Sequence, residues 1–144
     1  MVQAEYILGI DYGAQRVGVA IAHATARLPR PLQTLSNDSE LFDNLQKIIT
    51  DEGVCCVVVG VPRNMDGSLS QQSSTCEAFT KELAARTAVP VETFDETLSS
   101  VEAEAALKRL GKPYDKADID AVAAQFILER YFTENRSEDT PHEI

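Results

Sequence analysis

Glu5-Tyr-Ile-Leu-Gly-Ile-Asp-Tyr-Gly-Ala-Gln-Arg-Val-Gly-Val-Ala-Ile-Ala-His23 is the stretch from which the fold can be read. Glu5 to Asp11 reads as one strand and Arg16 to His23 as a second, alternating small and branched residues. Gly13-Ala-Gln between them reads as a hairpin turn. Pro29-Arg-Pro31 breaks the pattern, and Leu32 to Leu35 follows as a short third strand, with proline at a strand-entry or edge position.

Beyond this meander the period changes. Ser36-Asn-Asp-Ser39 offers helix N-caps, and Leu41, Phe42, Leu45, Ile48 and Ile49 recur at helical spacing until Gly53. Val54 to Val59 is uniformly apolar and mostly β-branched, the pattern of a strand covered on both faces. A loop is expected from Gly60 to Ser68, a helix from Gln71 to Thr87, and a strand from Val89 to Phe94. A third helix is capped at Ser99 or Ser100, carries Val101, Ala105, Leu107 and Leu110 as apolar contacts, and ends at Gly111-Lys-Pro113. The last helix runs from about Ala117 to Phe132. Hairpins first and strand–helix alternation second predict an α/β fold with a mixed five-stranded sheet, antiparallel on one side, parallel on the other, and helices on both faces. Residues 1–133 form one domain in this reading, and 134–144 a polar tail.

The chain has 144 residues and a formal net charge of −10, which argues against a protein that grips nucleic acid through a broad basic surface. It leaves open a site in which divalent cations offset carboxylates and a few Arg and Lys are focused locally. No apolar run approaches bilayer length and no secretory signal is visible, so a cytoplasmic protein is expected. Cys55, Cys56 and Cys76 are an odd count. Cys55 and Cys56 are neighbours on a strand, where alternation turns them to opposite faces, so buried reduced thiols are expected. His23 and His142 cluster with no other ligand-type residue.

In open α/β sheets, ligand sites gather beyond the carboxyl ends of strands. Acidic residues fall there or close by: Asp11 ends the first strand, Asp95 and Glu96 the last, and Asp118 and Asp120 open the final helix. Taken singly, each reads as a cap or turn residue. Together they form the set of hard oxygen donors that Mg2+ or Mn2+ takes alongside phosphate oxygens, delivered from separate elements. Asp95 and Glu96 alternate on a strand and Asp118 and Asp120 diverge on a helix, so one of each pair faces such a site, and periodicity does not say which. Gly13 and Gly18 give the hairpin the flavour of a phosphate loop, although a plain tight turn explains them equally. Arg16 reads as a solvated charge or a phosphate contact. The loop from Gly60 to Ser68 is long enough to rim a groove.

Four blocks in order then resemble a known family: Gly9-Ile-Asp-Tyr-Gly-Ala-Gln-Arg-Val-Gly-Val-Ala20, Val59-Gly-Val-Pro-Arg-Asn-Met-Asp-Gly-Ser68, Asp95-Glu-Thr-Leu-Ser-Ser-Val-Glu-Ala103 and Asp120-Ala-Val-Ala-Ala-Gln-Phe-Ile-Leu128. The chain resembles the YqgF-type family of Holliday-junction-resolvase-like proteins, also described as pre-16S rRNA nucleases. The resemblance implies a ribonuclease H-like fold and a catalytic, metal-binding triad of Asp11, Glu96 and Asp120 using Mg2+ or Mn2+. It favours Glu96 over Asp95 and Asp120 over Asp118. Substrate contacts are expected from Gly13, Arg16, Arg63, Asn64, Ser68 and Lys116, of which Arg16 falls on a position the family commonly fills with arginine. Two departures remove positive charge near that site: Thr97 stands where the family often has arginine, and Asp118 sits among usually basic positions.

The leading expectation is therefore a hydrolase, a nuclease that trims the pre-16S rRNA end in ribosome biogenesis. Its alternatives are a junction resolvase of DNA recombination and a nucleic-acid-binding module without catalysis. The partner is structured RNA or a DNA junction, and the chain is a monomer or a homodimer. A nucleotide-phosphate binder of the actin-like type is a further reading, for which the chain is too short to build two lobes.

Overall fold

The computed structural model describes residues 5–62, 71–96 and 99–135, with the side chains of residues 96, 99 and 100 outside that description. Among the described residues nine elements follow one another: β1 (Tyr6–Tyr12), β2 (Arg16–His23), β3 (Arg30–Ser36), α1 (Leu41–Glu52), β4 (Val54–Pro62), α2 (Gln71–Arg86), β5 (Val91–Glu96), α3 (Ser99–Leu110) and α4 (Lys116–Glu134). They build one five-stranded sheet of order β3-β2-β1-β4-β5. The β1–β2 and β2–β3 pairs are antiparallel, and β1–β4 and β4–β5 are parallel. This is the mixed sheet that the order of hairpins and crossovers requires.

Strand alternation divides the buried residues between two faces. Leu8 and Ile10 of β1, Val17, Val19 and Ile21 of β2 and Val57 and Val59 of β4 pack with Leu41, Leu45, Ile48 and Ile49 of α1 and Phe79 and Leu83 of α2. On the opposite face Ile7, Ala20, Ala22 and Val58 meet Ala124, Ile127, Leu128 and Phe132 of α4. That second face is built from small residues, and α4 lies close across β1, β2 and β3. A methyl group on Gly9 would come within 2.6 Å of Leu128 Cγ, and one on Gly60 or Gly18 would overlap Ile127 Cδ1 or the Asp120 carbonyl. Glycine in a strand marks such a close approach.

The ends of α4 are fixed by its own sequence. Asp115 caps it: the Asp118 N–H donates to Asp115 Oδ1 and the Asp115 N–H donates to Asp118 Oδ2, each at 3.0 Å. This reciprocal pair satisfies two N–H groups that the first turn leaves open. The Thr34 hydroxyl of β3 donates to the Ala117 carbonyl at 2.7 Å and ties that first turn to the sheet. α3 packs beside α4 through buried Ala103 and an ion pair between Glu102 and Arg130, while Val101 and Leu110 stand exposed.

Several boundaries differ from the sequence reading. β3 spans Arg30–Ser36 and includes Pro31, because the register shift between Val19 and Ala20 lets a residue without an N–H sit in an edge strand. β4 runs on to Pro62 through the expected loop start, since Gly60 is paired to Asp11 on one side and Phe94 on the other. β5 starts two residues late because Pro90 closes the preceding turn, its carbonyl accepting the Val57 N–H. The first helix begins after Glu40 without a side-chain cap, the expected cap residue Asp38 instead accepting the Glu40 N–H in the turn before it, and it ends as expected at Gly53 in the left-handed region. α4 runs to Glu134, and of the expected tail, 134–144, residues 136–144 lie outside the described residues.

The cysteines are free, as expected, but only Cys76 is buried. Cys55 and Cys56 are partly buried, and both pack on the α4 face. The register shift at Tyr6–Ile7 skips Cys55 in the β1 pairing, and this irregularity defeats the alternation that would have turned neighbours apart. Burial pushes the Cys56 thiol up to about 12 and the Cys76 thiol up to about 11, which keeps both protonated and weakly reactive.

Candidate active site

The α4 face of the sheet positions Asp11. It sits near the carboxyl end of β1, in register with Gly18 on β2 and Gly60 on β4. A flanking residue on each side therefore lacks a side chain, which leaves the carboxylate lateral space in an otherwise packed surface. Asp120 arrives from above, on the second turn of α4, at the point where Gly18 allows that helix its closest approach. The third member is Arg16, the first residue of β2: its Nε donates to Asp120 Oδ2 at 2.6 Å. The Asp120 side chain is 18% exposed and that of Arg16 38%.

The chemistry of this cluster follows from burial and like charge. Burial pushes the Asp11 carboxyl from 3.8 up to about 6, and the neighbouring Asp120 carboxylate adds to the rise. Two carboxylates from different elements, one already resisting ionisation, form a site with unspent attraction for a cation. One guanidinium cannot neutralise both. Mg2+ is commonly held by one or two carboxylates with water and substrate phosphate completing the shell, so Asp11 and Asp120 suit that ion as donors. Among the described residues no group of three His, Cys, Asp or Glu side chains converges as a complete ligand set.

Glu96 ends β5, its backbone paired with Pro62, and in the alternation of that strand its position is in phase with Phe94, a residue packed on the α4 face. Asp95 is out of phase with it and exposed. Asp118 is spent in the cap of α4 and exposed, two residues from Asp120. Lys116 opens α4 and is exposed. Gly13 belongs to the turn: its N–H donates to the Arg16 carbonyl at 3.0 Å and its carbonyl accepts the Asn37 side-chain amide at 2.8 Å. The tight-hairpin reading thus accounts for that N–H, which is not available to a phosphate. Arg63, Asn64, Ser68 and Thr97 lie outside the described residues. His23 is a turn residue, its Nδ1 accepting the Thr25 N–H at 3.1 Å and the Ala26 N–H at 3.3 Å.

Sequence reasoning missed the contribution of Gly18, Gly60 and Thr34. Glycine inside strand patterns was the available sign of close approach, but only the register shows that Gly18 and Gly60 flank Asp11. It also treated Arg16 as solvated or phosphate-bound, whereas it pairs with an aspartate 104 residues away.

The class of the fold can now be stated: it is ribonuclease H-like. Thermus thermophilus RuvC in complex with a Holliday junction shares it with a TM-score of 0.52 at 15% identity, over 90% of this chain and 95% of that one. The fowlpox virus resolvase bound to Holliday junction DNA does so with a TM-score of 0.53 at 12% identity, over 91% and 98%. Within that class the chain belongs to the RuvX family, described as Holliday junction resolvase, which it matches over residues 5–134. Among curated relatives it is 40% identical to a Chloroflexus aurantiacus protein over 96% of both chains, and 41% identical to one from Chloroflexus aggregans over 91% of this chain and 95% of the other. Each is named "Putative pre-16S rRNA nuclease".

Proposed function

We propose that this chain is a divalent-cation-dependent nuclease that hydrolyses phosphodiester bonds, acting in the cytoplasm on the end of pre-16S rRNA during ribosome biogenesis. The observation that carries the reading is the meeting of Asp11 and Asp120, from β1 and α4, at the carboxyl end of a strand in a ribonuclease H-like sheet. The names of relatives at 40% and 41% identity support the choice of substrate. Among the described residues no helix is long and apolar enough to cross a membrane.

In this reading Asp11, Asp120 and Glu96 hold one or two Mg2+ or Mn2+ ions. When bound, such ions lower the pKa of water and stabilise charge on the leaving oxygen of a phosphodiester. The rest falls to the chain itself. Asp11 must be ionised to act as a ligand, and its raised pKa means that a cation has a proton to displace there once the pH falls to about 6 or below. Asp120 is held over the sheet by Gly18, the Thr34 tie and the Asp115–Asp118 cap. Arg16, Lys116 and the 63–68 segment supply positive and polar groups for phosphates on an otherwise acidic molecule. Cleavage of a pre-16S rRNA fragment and of a four-way DNA junction, each with Mn2+ and with chelator, tests the proposal. Mn2+-dependent cutting of the RNA, absent in Asp11→Asn, is expected. Equal product from wild type and variant would remove the catalytic reading and leave a binding module.

The family description and the shared fold of two junction-bound resolvases favour a second reading, cleavage of DNA junctions. A two-fold junction calls for a dimer that presents two sites, whereas trimming an RNA end needs one. Sedimentation of the chain with and without junction DNA separates them.

A further inference from the structure

Arg16 and Asp120 form an ion pair that secondary structure alone does not require. Local pairs on this molecule, such as Lys47 with Asp51, join neighbours one helical turn apart and are mostly exposed. The Arg16 pair instead spans 104 residues, joins β2 to α4 and ends on the less exposed carboxylate. It also lies beside a second carboxylate, Asp11, so the single guanidinium leaves the cluster with excess negative charge.

Resting on the cation-dependent reading above, we infer that Arg16 is the resident counter-ion of Asp120, which yields that carboxylate to a divalent cation and is thereby freed for a phosphate of the nucleic acid. The backbone of Arg16 is immobilised: its carbonyl accepts the Gly13 N–H and it pairs with Ser36. The side chain has a long flexible stem and is the more exposed partner, so the exchange needs only rotamer changes. A guanidinium and a dication on the same carboxylate repel each other strongly, because Asp120 is mostly shielded from water. The released guanidinium keeps five donors in a fork that matches a phosphate. In this scheme Arg16 would contact a phosphate only once Asp120 has been given over to a cation. Arg16 is in this account a positioning residue of the empty site and a substrate contact of the loaded one.

Side-chain 15N spectra of the wild-type chain, titrated with Mg2+ alone, read the exchange directly. Calorimetry on the same samples reads Mg2+ affinity. The Arg16 Nε–H resonance is expected to be protected in chelator and to shift or exchange away in step with calorimetric saturation. Arg16→Met is expected to bind Mg2+ severalfold more tightly than wild type, and Arg16→Lys, which restores a competing charge, to return towards the wild-type value. Saturation of the wild type with an unmoved Arg16 resonance, or equal or weaker binding by Arg16→Met, overturns the inference while leaving cation dependence intact. Absence of any Mg2+ binding by the wild type overturns the cation reading and this inference together. The spectra need only the wild-type chain, so the test stands if Arg16→Met fails to fold.

Discussion

The two faces of the sheet are made on opposite plans. Towards α1 and α2 the strands present Leu, Ile and Val, and the helices answer with Leu, Ile and Phe. Towards α4 they present Gly9, Gly18, Ala20, Ala22 and Gly60, and the helix answers at Ala121 and Ala124 as well as Ile127 and Leu128. The first face fills space and removes apolar area from water, at about 1.5–3 kcal/mol for a fully buried large side chain. The second gives up bulk so that a helix can lie close enough to set Asp120 beside Asp11. One face is built for stability. The other accepts a carboxylate that burial and a like charge disfavour, and it carries the candidate chemistry.

The largest effect that would break this contrast is at Asp11 itself. Asp11→Asn is expected to reduce cleavage to background and at the same time to stabilise the cation-free protein. The raised pKa means that the folded state holds the proton more tightly than the unfolded chain between 3.8 and about 6. The contribution of Asp11 to stability in chelator is therefore fullest below 3.8, falls as pH rises through that window and is flat above it, by at most about 3 kcal/mol in all. Urea unfolding across this pH range, with and without the substitution, checks it. A wild-type stability that gains on that of Asp11→Asn as pH rises over the window, or an Asp11→Asn protein less stable at neutral pH, contradicts the assignment.

Next in size is the opposite face. Leu45→Ala is expected to cost about 2–5 kcal/mol by leaving a cavity, with little change in cleavage per folded molecule. Gly18→Ala is expected to cost at least as much and also to weaken cleavage strongly, because the added methyl group would lie 2.0 Å from the Asp120 carbonyl oxygen and force the α4 backbone away. Denaturant midpoints paired with cleavage rates of these two variants form the cleanest comparison of the faces. Equal losses of activity per folded molecule would erase the distinction. The smallest effect is at the cap: Asp118→Ala is expected to cost about 1 kcal/mol and to leave cation affinity near the wild-type value. A drop in affinity there as large as that from Asp120→Ala would return Asp118 to the list of ligands.

Much of the fold is written in local pattern. Alternation marks β1 and β2, helical spacing marks α1, and the continuous apolar run of β4 identifies a strand covered twice. What local pattern does not contain is register. Pro31 and Cys55 each fall at an irregularity in pairing, and there the proline break misplaces the start of β3 and the alternation rule the direction of a thiol. The site was legible to the same degree. Asp11 stands out at a strand end from sequence alone, and the family resemblance was needed to choose Asp120. The choice had a physical mark in the chain, since Asp115 and Asp118 have the spacing of a reciprocal cap, which occupies Asp118 and leaves Asp120 to face the sheet. The Arg16 pairing had no such mark, because it depends on the crossing of α4 over β2.

That crossing bears on how the chain is made. Asp11 is synthesised well before Asp120, and among the described residues no segment between them takes the place of α4 on its face of the sheet. A nascent chain still lacking that helix has an exposed stripe of glycine and alanine and a single isolated carboxylate where the pair will be. Whatever hydrolytic capacity the finished molecule has is therefore withheld until α4 has been made and has docked on the sheet.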